Sequence, residues 1–171
     1  MTGGGGPPVI VRVAAPHEHA EAGRVTALAY REFVGEGEHR WHAYLRSIED
    51  VDARADRTTI LVAEVDGRLV GSATLELSDR VEPGDDPPLD PSESHMRMLG
   101  VHPDARRKGV ARALVQACID RSRRHGKAFM TLHTTERMGD AQRLYEALGF
   151  ERLDDRVFPD GFVLLTFRLD L

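Results

Sequence analysis

The stretch Met98-Leu-Gly-Val-His-Pro-Asp-Ala-Arg-Arg-Lys-Gly-Val-Ala-Arg112 constrains the rest of the chain most. An apolar strand runs into Val101 and must stop, because Pro103 lacks the backbone donor a ladder needs. Asp104 offers a helix cap, and a helical pattern begins at Val110. The turn between them is basic, with Arg106, Arg107 and Lys108, and contains one glycine, Gly109. A turn that opens a helix leaves main-chain N–H groups free, and the helix dipole adds partial positive charge. Strand, basic glycine turn and helix together describe an anion site suited to a phosphate or pyrophosphate. A Walker loop would need Gly-Lys-Ser/Thr, whereas Val110 follows Gly109, and a dinucleotide fingerprint would need three glycines.

The pattern Arg106-x-x-Gly109-x-Ala111, placed after a strand ending in Val-x-Pro, resembles the acyl-CoA-binding signature of the GNAT N-acyltransferase superfamily. A second match lies in Ala141-Gln-Arg-Leu-Tyr145-Glu-Ala-Leu-Gly149-Phe150, similar to the family's Ala-x-x-Leu-Tyr-x-x-x-Gly-Phe helix. Ala141 and Tyr145 are one helical turn apart and share a face.

Taken in order, residues 1–8 are expected to form a disordered glycine- and proline-rich tail, and residues 9–171 a single domain. Val9–Val13 reads as a strand, residues 17–34 as an amphipathic helix, and about Arg40 to Ala55 as a second helix. Thr58–Val65 and Leu69–Leu77 flank the hairpin signal Asp66-Gly67, with Gly71 marking a bulge or a close approach. Residues 78–93 are a long acidic, proline-rich loop. His95–Val101 is the central strand. A helix follows, with Val110, Ala113, Leu114, Ala117 and Cys118 inward, ending near Gly126. Ala128–His133, a helix over Asp140–Leu148, and strands at Phe150–Leu153 and Phe162–Leu169 complete the chain. The order is similar to the GNAT fold from Val9 onward: a mixed α/β architecture, with a twisted mixed sheet of about seven strands flanked by four helices.

Net charge is −5, which disfavours nucleic acid as a partner; Arg106, Arg107, Lys108, Arg112, Arg121, Arg123 and Arg124 fall on several helix faces with no aromatic platform. No apolar run approaches a membrane span, and Met1–Pro8 lacks the apolar core of a secretory signal. One cysteine, Cys118, allows no internal disulfide, compatible with a reducing cytoplasm; on an apolar helix stripe it reads as an inert core thiol. His17, His19, His39 and His42 match no zinc spacing, so no metal is expected.

The resemblance implies an N-acetyltransferase: an amine attacks the thioester of acetyl-CoA directly, with no covalent enzyme intermediate. It implies that Leu99, Gly100 and Val101 supply a backbone donor to the thioester carbonyl at the splayed end of the central strand. It implies that Arg106, Arg107, Lys108, Gly109, Val110 and Ala111 hold the coenzyme's phosphates, and that Tyr145 is the general acid for the thiolate. Met138 stands where the family often has Asn, and could pack against the pantetheine arm but not donate to it. Many relatives carry a glutamate base on the central strand; here Ser94-His95-Met96-Arg97 stands there, leaving His95 as one candidate base, neighbouring Glu93 as a second, and a water chain as a third. In the family the first two helices wall the acceptor site, which points to Tyr30, Glu36 and Trp41; His133 ends the next strand and could line the thioester pocket. Acidic residues of the 78–93 loop could attract a cationic amine. The acceptor is a small-molecule or peptide amine of unspecified identity. A strand edge near the C-terminus could pair two copies of the chain. The alternative reading is a non-catalytic CoA-binding regulator of the same fold.

Overall fold

Turn chemistry and strand alternation build an eight-stranded sheet, seen in a computed structural model that describes residues 5–35, 37–81 and 86–171. The elements are β1 (Ile10–Val13), α1 (His19–Arg31), α2 (His39–Glu49), α3 (Asp52–Ala55), β2 (Thr59–Val65), β3 (Arg68–Glu76), β4 (Glu93–Val101), α4 (Val110–Arg124), β5 (Phe129–Thr134), α5 (Gly139–Ala147), β6 (Glu151–Arg152), β7 (Arg156–Val157) and β8 (Val163–Asp170). The strand order is β1-β2-β3-β4-β5-β8-β6, with β7 pairing β8 beside this path. Among the described residues β4–β5 is the one parallel pair.

The architecture expected from the sequence is present, with one more strand and one more helix than expected. The second helix divides because Arg54, 3% exposed, turns back to cap it: its guanidinium donates to the carbonyls of Ser47, Ile48 and Asp50. Those last-turn carbonyls would otherwise lack partners, so the helix ends at Glu49 and α3 starts afresh. Strand β7 was not expected; it is two residues long and carries no alternation to read. Residues 1–4 of the expected tail lie outside the described residues, and residues 5–8 are exposed without regular structure. Asp66 and Gly67 both take positive φ (52° and 74°), as a tight primed hairpin requires. Gly71 marks a close approach: a Cβ there would lie 3.0 Å from Leu114 and 3.1 Å from the Gly100 carbonyl. Asp104 does not cap α4. It lies in a 3-10 turn, Pro103–Ala105, where its N–H bonds His102, and α4 starts at Gly109 with no side-chain cap.

The feature that shapes the molecule's centre is a bulge in β4. Thr74 pairs Arg97 and Ser72 pairs Gly100, so Ala73 faces both Met98 and Leu99. Met98 absorbs the extra residue at φ 54°. Before the bulge Met96 packs with α4 and α5; beyond it Leu99 does so, while Met98 joins Ala27, Ile48 and Val81 on the α1–α2 side. The parallel register of β4 and β5 ends at Met96–Leu132, so the strands part where the bulge begins. No helix among the described residues is long and apolar enough to cross a membrane.

Candidate active site

The opening between β4 and β5 separates two half-sites. On the α4 side, the chain enters the helix through Arg107 (φ 61°) and Gly109 (φ 78°), two left-handed residues that turn successive N–H groups outward. The first helical acceptor bond is Ala113 N–H to Gly109 O, so the N–H groups of Val110, Ala111 and Arg112 have no main-chain partner among the described residues. Arg107, Lys108 and Gly109 are exposed. Arg106 bonds Glu32 at 2.9 Å, so its charge is shared with a carboxylate rather than left to the turn. These open donors and the two remaining cations suit a phosphate-bearing ligand.

Tyr145 projects from α5 into the core on this side. It is 4% exposed and packs against the rings of Phe150 and Phe167 at 5.8 and 5.9 Å. Burial, with Cys118 and Tyr44 nearby, raises its pKa, so the phenol remains a proton-bearing donor at neutral pH. Cys118 is fully buried, and burial pushes its thiol up to about 12; it is an inert packing residue.

On the α1–α2 side lies a cavity of about 440 Å³. Tyr30 and Trp41, two of the three expected acceptor residues, line it, and so does His133, expected at the thioester pocket; Glu36 lies outside the described residues. His95 and Met138 line it too, which brings the candidate base to the same space. Tyr30, Trp41 and Tyr44 form a mutual aromatic cluster with centroids 6.0–6.5 Å apart, and Phe162 meets Trp41 edge-on at 6.4 Å. Arg40 stacks over Phe158 and Phe162, 5.0 Å from each centroid, and pairs with Asp160.

The electrostatics of this cavity differ from the acidic attraction expected of the 78–93 loop. Asp86 lines it, but pairs with Arg156 and lies 3.8 Å from Arg97, and these arginines hold its pKa low against its burial. Glu76, wholly buried, is shared by Arg80 (2.9 Å) and Arg97 (3.4 Å). Burial opposes the charge on Arg97, but Tyr44, Glu76 and Asp86 outweigh it and keep the guanidinium protonated. Residues 82–85 of the loop lie outside the described residues.

His95 is 3% exposed, and its pKa falls well below 6.5, from burial first and then from His133, Arg97 and Arg80. The His133 ring lies 5.0 Å away, its own pKa lowered mainly by burial. His95 Nδ1 contacts Thr131 Oγ1 at 2.7 Å, and Thr131 in turn donates to Glu93 at 2.5 Å. The two strand candidates for the base are thus joined by a residue that was not singled out in the sequence. The signal existed: Glu93, His95 and Arg97 alternate along one strand, Thr131 and His133 along the next, and period-2 polar residues share a face. Thr134 and Thr135 also line the cavity, and their buried hydroxyls have no hydrogen-bond partner among the described residues.

Residues 24–150 match the model of the Acetyltransferase (GNAT) family. The chain is 29% identical over 148 residues to "Probable N-acetyltransferase camello" of Xenopus laevis, covering 83% of this chain and 64% of that protein. It is 36% identical over 97 residues to mycothiol acetyltransferase of Sanguibacter keddieii, covering 57% of this chain and 29% of that protein. The chain therefore spans less than two thirds of either relative. In fold it is similar to YncA of Salmonella typhimurium, whose structure contains its cofactor acetyl-CoA: TM-score 0.66, 22% identity, covering 95% of this chain and 93% of that one.

Proposed function

The chain belongs to the GNAT acetyltransferase family, and on that premise we propose that it moves the acetyl group of acetyl-CoA to an amine by direct attack across the β4–β5 opening. The observation that carries the reading is the position of the opening: an uncapped helix N-terminus lies on one side of it and a cavity holding a neutral histidine on the other. Gly109, Val110 and Ala111 would hold the coenzyme's phosphates through their N–H groups, with Arg107 and Lys108 beside them. Acetyl-CoA, when bound, would supply a thioester whose carbonyl carbon is already activated toward an amine. Main-chain N–H groups between Leu99 and Val101, freed from pairing with β5, would donate to the carbonyl oxygen as it gains charge.

The amine enters from the cavity. An alkylamine has a pKa of about 10.4 and is mostly protonated at neutral pH, so its proton must be removed before attack. His95 is the base in this scheme: burial keeps it neutral, and it lines the cavity. Tyr145 donates to the departing sulfur, its raised pKa keeping the hydroxyl hydrogen in place. Tyr30, Trp41 and His133 bound the acceptor, which the aromatic walls suit to an amine bearing an apolar or aromatic body. The test is release of free thiol from acetyl-CoA with a panel of aliphatic, aromatic and peptide amines. Amine-dependent release supports the proposal; coenzyme binding with no release from any amine class would favour the non-catalytic alternative.

A further inference from the structure

Resting on the assignment of His95 as base, we infer that Thr131 and Glu93 are positioning residues that fix its tautomer, leaving Nε2 as the atom that takes the amine's proton. Glu93 and His95 share a face of β4, and Thr131 stands opposite His95 in the parallel register. His95 Nδ1, Thr131 Oγ1 and Glu93 Oε1 form an unbroken line of contacts at 2.7 and 2.5 Å. A carboxylate has no hydrogen to give, so the Thr131 hydroxyl donates to Glu93. Its single hydrogen is then committed, and toward His95 its oxygen only accepts. Nδ1 therefore carries the ring hydrogen, and Nε2 carries the lone pair on a ring that lines the cavity.

Before attack an ammonium N–H bond breaks, a new N–H bond forms at Nε2, and the ring becomes an imidazolium that keeps its Nδ1–H; the second proton, lost from nitrogen as the tetrahedral adduct collapses, replaces the one Tyr145 gives to the sulfur. Nothing is oxidised or reduced, and the proton leaves from Nε2 after the product departs. The surroundings otherwise oppose that cation. His133 on β5, Arg97 on β4 and Arg80 in the loop all disfavour it, while Glu76 and Asp86 are taken up by arginines. Glu93 forms no ion pair among the described residues, so its charge is available to the imidazolium through the polarised Thr131 hydroxyl.

The experiment combines nitrogen-resolved NMR of the His95 ring in the full chain with thiol-release kinetics. Wild-type protein is expected to show a protonated Nδ1 and an unprotonated Nε2 at neutral pH. Thr131→Val should relax that assignment and lower kcat about 10- to 100-fold with acetyl-CoA affinity unchanged. Thr131→Ser, which keeps the hydroxyl, should restore both. Glu93→Gln and Thr131→Val should also move the acid limb of the rate profile to lower pH, because the imidazolium loses its stabilising charge. A wild-type ring protonated at Nε2 overturns the inference. So does a Thr131→Val enzyme with wild-type kcat and pH profile while His95→Gln is inactive. Full activity in His95→Gln overturns the base assignment itself, and with it any role for the other two residues in turnover.

Discussion

The two faces of β4 and β5 are made by alternate residues of the same strands and have opposite characters. Toward α4 and α5 point Met96, Met130 and Leu132, all at most 1% exposed, in one apolar core with Leu165 and Phe167. Toward α1 and α2 point His95, Arg97, Thr131 and His133, wired to Glu93, Glu76 and Asp86. A sheet face that buries only hydrocarbon contributes stability. A face that buries titratable groups loses solvation for each of them and depends on compensating pairs. The first face holds the strands in place, and the second gathers the groups able to take or give a proton.

The division can be broken from either side. Replacing His95 by Gln should cut amine-dependent thiol release by about 10²- to 10⁴-fold with little change in the thermal midpoint, as measured by steady-state kinetics and calorimetry. Its neighbour on the opposite face should behave in reverse. Leu132→Ala should cost about 2–5 kcal/mol in urea unfolding, with a KM for acetyl-CoA close to wild type in whatever fraction stays folded. Tyr145→Phe separates the two roles proposed for that residue, because it keeps the ring in the core and removes only the hydroxyl proposed to protonate the leaving sulfur. Turnover should fall about 100-fold while coenzyme binding and stability change little. Equal turnover in the Phe variant would remove Tyr145 from the proton path.

The smallest effect expected is in the pH dependence of stability. The folded-state pKa of His95 lies below its unfolded value of 6.5, so below pH 6.5 the unfolded chain binds a proton the native state refuses. Stability from this group is intact above pH 6.5 and is lost as pH falls toward the folded pKa, by about 1.4 kcal/mol per pH unit. Urea midpoints measured across that window should show a shallower slope for His95→Gln than for wild type.

The apolar face was the more legible of the two in the sequence. Val110, Leu114 and Cys118 recur at helical spacing, and all three are buried. The glycine turn was equally plain, since Gly109 does take the left-handed backbone that lets the chain enter α4. The polar face was read in fragments. His95, His133, Tyr30 and Trp41 do meet around one cavity. Thr131 is not legible in the sequence, because a threonine in a strand carries no mark of its contacts until its cross-strand neighbours are known. Arg97 and Asp86 were not foreseen as a pair, because their contact bridges a long loop. The bulge at Met98 left no signal in composition; it follows from register, which is a property of two strands together.

The most direct measurement is a titration of isotope-labelled protein with acetyl-CoA, following each backbone amide by NMR. The largest shifts are expected at the amides of Gly109–Arg112 and Leu99–Val101, on the two sides of the β4–β5 opening, with β1 and β2 nearly still. Saturation with the shifts centred elsewhere, or no shift at any concentration, would contradict the claim that this opening is where the acetyl donor binds.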